Sequence, residues 1–566
     1  MPGAWRQLWP AWSWLSIYQK GWLRLDIVAG LTAAAVVIPK SMAYATIAGL
    51  PLQVGLYTAF VPMLIYSLFG TSRPMSVSTT TTIAILTGAA LADVTPTADA
   101  AALMTASVTL ALMVGLLLIL ASILRLGFTA NFISEPVLAG FKAGIGIVIV
   151  VDQIPKILGV HFDKGGFFHN LGEILQALPH FSVATAAVGM GTILLLGLLE
   201  KFRPNWPAPI IAVVAAIGLA ALFGWDKSGI ELVGNIPTGL PQLYWPDLGL
   251  METLWPAAVG IALMSFAETA AVGRAFIKPG ESPIRPNGEL LATGLANVGG
   301  ALFGSMSAGG GTSQTAVNRM AGAVTQVSTI VTSLAALLTM FVFAPYLGYM
   351  PQATLAGIVI VYSVGLIHIP DFVQILRIRR TEFIWALAAL AGVILLGTLK
   401  GILVAIIVSV VALASQTASP PVNVLGRIRG TNGFRPRAPE FPDDETFPGL
   451  LIVRPEGRLY FLNAEYVAEK IRALRDAETH KVLLLDLRSV FDLEYSALKM
   501  LVEAAQQQHE QGTLLLIAAP NEEVRKVLTR SSLGEYLGPD RLFNSLEAAV
   551  NFYCARFLPS EAGKLA

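Results

Sequence analysis

Between residue 26 and about residue 418, one apolar stretch of bilayer-spanning length follows another, and this succession constrains the fold more than any other feature. A membrane-crossing helix takes about 20 predominantly apolar residues. By that measure the segment divides into about fourteen spans, centred near Val36, Val61, Ala84, Val114, Ile147, Leu194, Val214, Ala262, Ala296, Ala316, Ala335, Val361, Ala391 and Val408. Composition agrees: 54% of the 566 residues are hydrophobic and only 13% are charged, against about 25% charged in a soluble domain. The net charge of +1 gives no basic field, so nucleic acid is not an expected partner. The single cysteine, Cys554, excludes an intrachain disulfide.

Charge divides the chain into five segments. Residues 1–25 are Trp-rich, interrupted by Pro10, and lack the pattern of a signal peptide; they read as a cytoplasmic, interfacial segment. A transport domain at 26–418 is followed by a Pro- and acid-rich linker at 419–448. A normally charged domain at 449–556 and a short tail at 557–566 complete the chain. With an even number of spans, Arg73, Arg125, Arg203, Arg274, Arg285 and Arg377 fall on one side, whereas Asp93, Asp163, Glu173, Asp226 and Glu231 fall on the other. This asymmetry places both termini in the cytoplasm of a cell in whose inner (plasma) membrane the protein sits.

Two spans carry an ionisable residue in their middle: Lys40 in Gly30-LTAAAVVIPKSMAYATIAGLP and Glu268 in Val259-GIALMSFAETAAVG. A charge at bilayer depth costs roughly 2.5–3.5 kcal/mol on insertion scales, so it is rarely idle. Two other segments are not apolar for a full bilayer thickness: Ser76-VSTTTTIA and Ser307-AGGGTSQTAVN. Each reads as a short strand or coil followed by a half-helix, because irregular backbone is tolerated at membrane depth only inside protein or beside a cavity. The stretches Gly70-TSRPMSVSTTTTIAILTGA and Gly304-SMSAGGGTSQTAVNRMAGA are weakly alike, with Lys40 ahead of the first and Glu268 ahead of the second. Seven spans separate them, and an odd repeat unit must invert. Broken helices of such repeats meet at the midplane with their N-termini toward the substrate.

Facing helix N-termini offer unpaired N–H groups to a small anion. Thr79, Thr80, Thr81, Thr312, Ser313 and Thr315 add hydroxyls, and Gly309-Gly310-Gly311 permits close backbone approach. The plainer alternative is that small and hydroxylated residues only pack helices. Lys40, after Pro39, can pair with the anion, pair with Glu268, or snorkel to an interface. Glu268 can carry a proton or serve as a fixed partner for Lys40. No catalytic constellation is present, and His161, His169, His180 and His368 show no ligand spacing and receive no role.

The segment Gly30-LTAAAVVIPKSMAYATIAGLPLQVGLYTAFVPMLIYSLFGTSR resembles the first-span signature of the SulP anion permeases, and the likeness continues through Thr312-SQTAVNRMAG into the C-terminal region. The resemblance implies a polytopic α-helical membrane protein built as a 7+7 inverted repeat with core and gate domains. It further implies an elevator-like movement, a homodimer, and an anion held between the third and tenth spans. Carried over by position, the anion site takes Lys40 and Tyr44 from the first span, Thr79, Thr80 and Thr81 from the third, and Thr312, Ser313 and Gln314 from the tenth. Glu268 falls where members carry an acid linked to coupling by H⁺ or Na⁺. The chain departs from the pattern in three places, one of them Ser78-TTTT at the start of the third-span helix, where members often have Gly-Pro-x-Ala. Members often have Gln at the position of Lys40, and some have Arg at the position of Gln314. The cationic side chain has therefore moved between spans, which makes the anion's identity unsafe to read from the family name.

The C-terminal region alternates strands and helices, the pattern of a small α/β domain. It resembles a STAS domain. Ser496, in Asp492-LEYS, stands where many such domains present a phosphorylatable residue; the plainer reading is a helix N-cap. The expected function is secondary active transport of a small anion such as sulfate, bicarbonate or a dicarboxylate, without enzymatic activity or a resident cofactor. The alternatives are an uncoupled exchanger or channel and a receptor or scaffold acting through the STAS domain.

Overall fold

The computed structural model describes residues 10 and 14–558, except 95–99, 132–133, 163–164, 204–205, 226–228, 235, 237, 278–280, 282, 478–479 and 511. The chain divides into two compact units at Val410/Val411, described separately below.

The first half of the membrane unit contains α1 (Lys20–Ile47), α2 (Leu52–Phe69), β1 (Val77–Ser78), α3 (Thr81–Val94), α4 (Ala100–Ile123), α5 (Glu135–Leu158), α6 (Phe167–Ala177), α7 (Val183–Phe202) and α8 (Ala208–Phe223). The second half contains α9 (Met251–Ala275), α10 (Pro286–Leu302), β2 (Gly309–Gly310), α11 (Thr312–Met320), α12 (Val327–Leu338), α13 (Gln352–Val364), α14 (Ile369–Ile378), α15 (Arg380–Leu396) and α16 (Thr398–Ala418). Every predicted centre lies within one of these helices; α6 and α14 carry none. Among the described residues, eight helical stretches are long and apolar enough to cross a membrane. Helices α1–α4 pack with α9–α12, while α5 packs with α7, α13 and α15, and α7 and α8 pack with each other and with α13; α8 and α13 also touch α1. This is the two-part division expected of core and gate.

The two broken spans have the predicted form. Strand β1 pairs antiparallel with β2, Val77 opposite Gly310 and Ser78 opposite Gly309. Two-residue strands at this depth leave backbone groups that only protein can satisfy, and side chains from neighbouring helices do so. Asn297 accepts the Ala308 N–H at 2.8 Å and donates to its carbonyl at 3.0 Å, and the Ser265 hydroxyl donates to that carbonyl at 2.8 Å. Thr269 accepts the Gly310 N–H at 2.9 Å. On the other side, Thr315 accepts the Ser76 N–H at 3.1 Å and Asn318 donates to the Pro74 carbonyl at 2.9 Å. Hydroxyl and amide residues in these spans therefore replace the hydrogen bonds that a continuous helix would make with itself. Gly310 is required by proximity: a Cβ there would lie 2.8 Å from Thr269 Cα, on the helix that carries Glu268.

The N-terminal segment is partly described. Residues 1–9 and 11–13 lie outside the described residues, and Trp14, expected at an interface, is only 3% exposed. Helix α1 begins at Lys20, within the segment assigned to the cytoplasm. Asp26, fully buried, accepts the N–H groups of Val324 and Thr325 at 2.8 and 3.1 Å and the Thr325 hydroxyl at 2.6 Å, so it supplies the acceptors for the start of α12.

The C-terminal unit carries a six-stranded sheet. In chain order its strands are β3 (Val422–Arg427), β4 (Phe434–Pro436), β5 (Leu450–Pro455), β7 (Val482–Asp486), β9 (Leu514–Ala518) and β10 (Leu542–Phe543), and the spatial order is β10-β9-β7-β5-β3-β4. A second, two-stranded sheet pairs β6 (Gly457–Leu459) with β8 (Val490–Leu493). The helices are α17 (Ala464–Asp476), α18 (Tyr495–Glu510), α19 (Glu522–Thr529), α20 (Ser532–Leu537) and α21 (Leu546–Phe557). The stretch 419–448, expected as a linker, instead supplies β3 and β4, antiparallel to their neighbours. Pro420-Pro421 and the acidic run hid the short apolar pattern Val422, Val424, Leu425. Asp486 is buried and bound by Arg454 at 2.6 Å. Ser496 is exposed in the first turn of α18, and the N-cap position belongs to Glu494, whose carbonyl accepts the Leu498 N–H at 2.9 Å. The N-cap reading of Ser496 is thereby corrected.

Candidate functional site

A cavity of about 470 Å³ collects Lys40, Tyr44, Thr79, Thr80, Thr81, Glu268, Thr312, Ser313 and Gln314 on one wall set. These nine residues come from four separate helical segments and their approach strands, and the fold brings all of them together.

Lys40, just after Pro39 in α1, is 5% exposed. Its Nζ donates to Ser313 Oγ at 3.0 Å and lies 3.7 Å from the centroid of the Tyr362 ring on α13. A buried ammonium is tolerable only with such partners. The ammonium is thus engaged inside the protein, and among the described residues its contacts are with Ser313 and Tyr362 and not with Glu268. Ser313 is in the first turn of α11, whose N-cap residue Gly311 provides no side-chain cap. The first N–H groups of α11 therefore remain available at the cavity wall.

Glu268 is 8% exposed and its Oε2 accepts the Thr80 hydroxyl at 2.8 Å. Thr80 is the N-cap of α3: its carbonyl accepts the Ala84 N–H at 2.9 Å and its Oγ1 the Ile83 N–H at 3.3 Å. Thr79 is fully buried, and its hydroxyl has no hydrogen-bond partner among the described residues. Tyr44 and Thr81 line the same cavity.

Gln314 has a different character from its neighbours. Its Oε1 accepts the Ser78 hydroxyl at 3.0 Å and its Nε2 donates to the Ser76 carbonyl at 3.3 Å. It straps the second broken span to the first, and its amide is committed to that task.

Lys142, Tyr362 and His368 are among the cavity residues not anticipated from the sequence. Lys142 of α5 is half-buried at the wall. It stands in Val137-LAGFKAGIGIV, so the criterion applied to Lys40 also finds it. Tyr362 carries no sequence signal; only the packing of α13 against α1 reveals it. His368, assigned no role, lines the cavity beside Asp371, with Nδ1 2.7 Å from Oδ1. Among the described residues, no group of three or more His, Cys, Asp or Glu could hold a metal ion. The cavity offers an anion the Lys40 ammonium with its Ser313 hydroxyl, a second ammonium from Lys142 at the wall, two helix N-termini, and the Glu268 carboxylate.

The chain is 33% identical over 544 residues to a protein of Mycobacterium tuberculosis named a probable sulfate transporter, covering 95% of this chain and 97% of that one. It is 28% identical to the chloroplastic sulfate transporter 4.1 of Arabidopsis thaliana, covering 98% and 83%. Its fold matches murine Solute Carrier 26 family member A9, an anion transporter in the inward-facing state, with a TM-score of 0.89 at 23% identity over 97% of this chain and 94% of that one. The STAS domain model matches residues 441–549. The sulfate permease family model matches residues 23–389, and the chain belongs to that family.

Proposed function

We propose that the protein is a secondary active transporter of sulfate, coupled to H⁺ or Na⁺ through Glu268 and working by an elevator-like movement of the core helices against the gate. The observation that carries this reading is the pair of facing broken spans, with Lys40 bound at the mouth of one and Glu268 at the mouth of the other. Sulfate is favoured among small anions by the names of the relatives and by an anchored ammonium beside free helix N–H groups, which suits a tetrahedral oxyanion. The anion sits against Lys40, Ser313, Thr312, Thr79 and the first turns of α3 and α11. Gln314 acts as a strap. Tyr362 places part of the gate against Lys40, so movement of the core must break the stacking of the ammonium on that ring. Both termini face the cytoplasm, the working form is a homodimer, and Ser496 is an exposed candidate for regulatory modification on the STAS domain.

The test is uptake of radiolabelled sulfate into proteoliposomes under imposed pH or Na⁺ gradients. Gradient-driven accumulation in the wild type and its loss in Glu268→Gln are expected. Sulfate flux indifferent to both gradients supports the uncoupled exchanger or channel instead.

A further inference from the structure

We infer that the Thr80 hydroxyl is a donor switch that passes the protonation state of Glu268 to the anion site. This rests on the reading of Glu268 as the coupling residue and adds a named second residue and a direction. A threonine hydroxyl has one proton to give and two lone pairs to receive. In the observed arrangement the proton goes to Glu268 Oε2 at 2.8 Å and one lone pair takes the Ile83 N–H at 3.3 Å. The hydroxyl stands at the cavity wall with its only proton directed to the carboxylate. Thr80 therefore offers nothing to an anion while Glu268 is ionised.

One proton taken up by Glu268 changes this. The neutral carboxyl donates its new O–H to the second lone pair of Thr80. Glu268 then no longer needs the Thr80 proton, which turns about the Cβ–Oγ1 bond toward the cavity and finds an anion oxygen as acceptor. One proton enters, no bond between heavy atoms changes, and the anion site gains one hydrogen-bond donor while losing one negative charge. Both changes favour anion binding, so proton and anion load together. The other titratable groups at the cavity are Lys40 and Tyr44 from α1, Lys142 from α5, Tyr362 from α13, and His368 with Asp371 beyond it. Lys40 is engaged by Ser313 and Tyr362, and His368 by Asp371. Of the elements packed against α9, none of α3, α4, α10, α11, β2 and the turn at 126–131 brings a further titratable side chain to this wall.

The experiment measures sulfate affinity of the purified full-length protein at mildly acidic and mildly alkaline pH. The wild type is expected to bind about tenfold more tightly in acid, the worth of one charge-assisted hydrogen bond. Thr80→Val, which keeps the shape and removes the hydroxyl, loses most of this difference; Thr80→Ser keeps it. Glu268→Gln, neutral at every pH, binds at both pH values as tightly as the wild type does in acid. Thr80→Ala replaces Thr80→Val if the latter does not fold. A Thr80→Val or Thr80→Ala protein with the full wild-type pH dependence overturns the switch and leaves coupling through Glu268 standing. A wild type whose sulfate affinity responds to Na⁺ and not to pH also overturns the switch. Indifference of the wild type to both ions overturns the coupling reading itself.

Discussion

The two broken spans are built alike and are served by opposite charges. In the second, the α11 terminus holds Lys40 through Ser313; in the first, the α3 terminus holds Glu268 through Thr80. Lys40 comes from α1, in the first half of the chain, and Glu268 from α9, in the second. Each half thus supplies the ionisable group that engages the other half's broken span. An inverted repeat makes such an exchange natural, because inversion brings the first helix of one half against the half-helix of the other. The difference between the two termini divides the labour. On the proposed reading, the α11 terminus with its ammonium attracts the anion outright, whereas the α3 terminus with its carboxylate attracts it only when that carboxylate is neutralised.

The comparison can be broken most forcefully at the lysine. Lys40→Ala removes the cation and leaves Ser313 without it; sulfate binding is expected to weaken about 10- to 100-fold, read by titration calorimetry on folded protein. The second break is mechanical. Gly310→Ala places a methyl group 2.8 Å from Thr269 Cα and 3.0 Å from Met75 Sδ, a clash between β2 and α9 that costs about 1–3 kcal/mol. A lower Tm and reduced transport are expected together. The third change sharpens the contrast between ligands and straps. Gln314→Leu deprives the Ser78 hydroxyl of its closest acceptor and costs about 1 kcal/mol of stability, while sulfate affinity falls far less than in Lys40→Ala. The smallest effect lies in the C-terminal unit. Two hydrogen bonds from Arg435, and then its positive charge, hold the Asp444 carboxyl below the ordinary carboxylate range. The pair's contribution is complete above the unfolded value of about 3.9 and is lost as pH falls through the lower folded value. Asp444→Asn is expected to flatten this acid-side dependence slightly in thermal melts and to leave sulfate affinity unchanged.

Much of this arrangement is legible in the sequence because the bilayer makes deviations conspicuous. Lys40 and Glu268 stand out as charges among apolar residues, and Ser76-VSTTTT and Ser307-AGGGTS stand out as polar interruptions. The crossing of partners is not legible, since nothing in a single chain says that Lys40 approaches Ser313, 273 residues away. Gln314 and Thr315 look like further ligands in sequence, yet one straps β1 and the other caps the Ser76 N–H. A hydroxyl or amide is the same letter whether it serves a ligand or the backbone. Tyr362 is invisible for the same reason: an aromatic in an apolar span reads as packing. In the C-terminal unit, β3 and β4 were hidden because proline and acidic residues dominate the local composition while only a few apolar positions face the sheet.

The most direct measurement is sulfate affinity of Lys40→Ala and Glu268→Gln side by side, with wild type as reference, in folded protein at alkaline pH. The division of labour predicts that Lys40→Ala loses affinity and Glu268→Gln gains it. Equal loss in both variants would contradict it, making the two charges parts of one structural site.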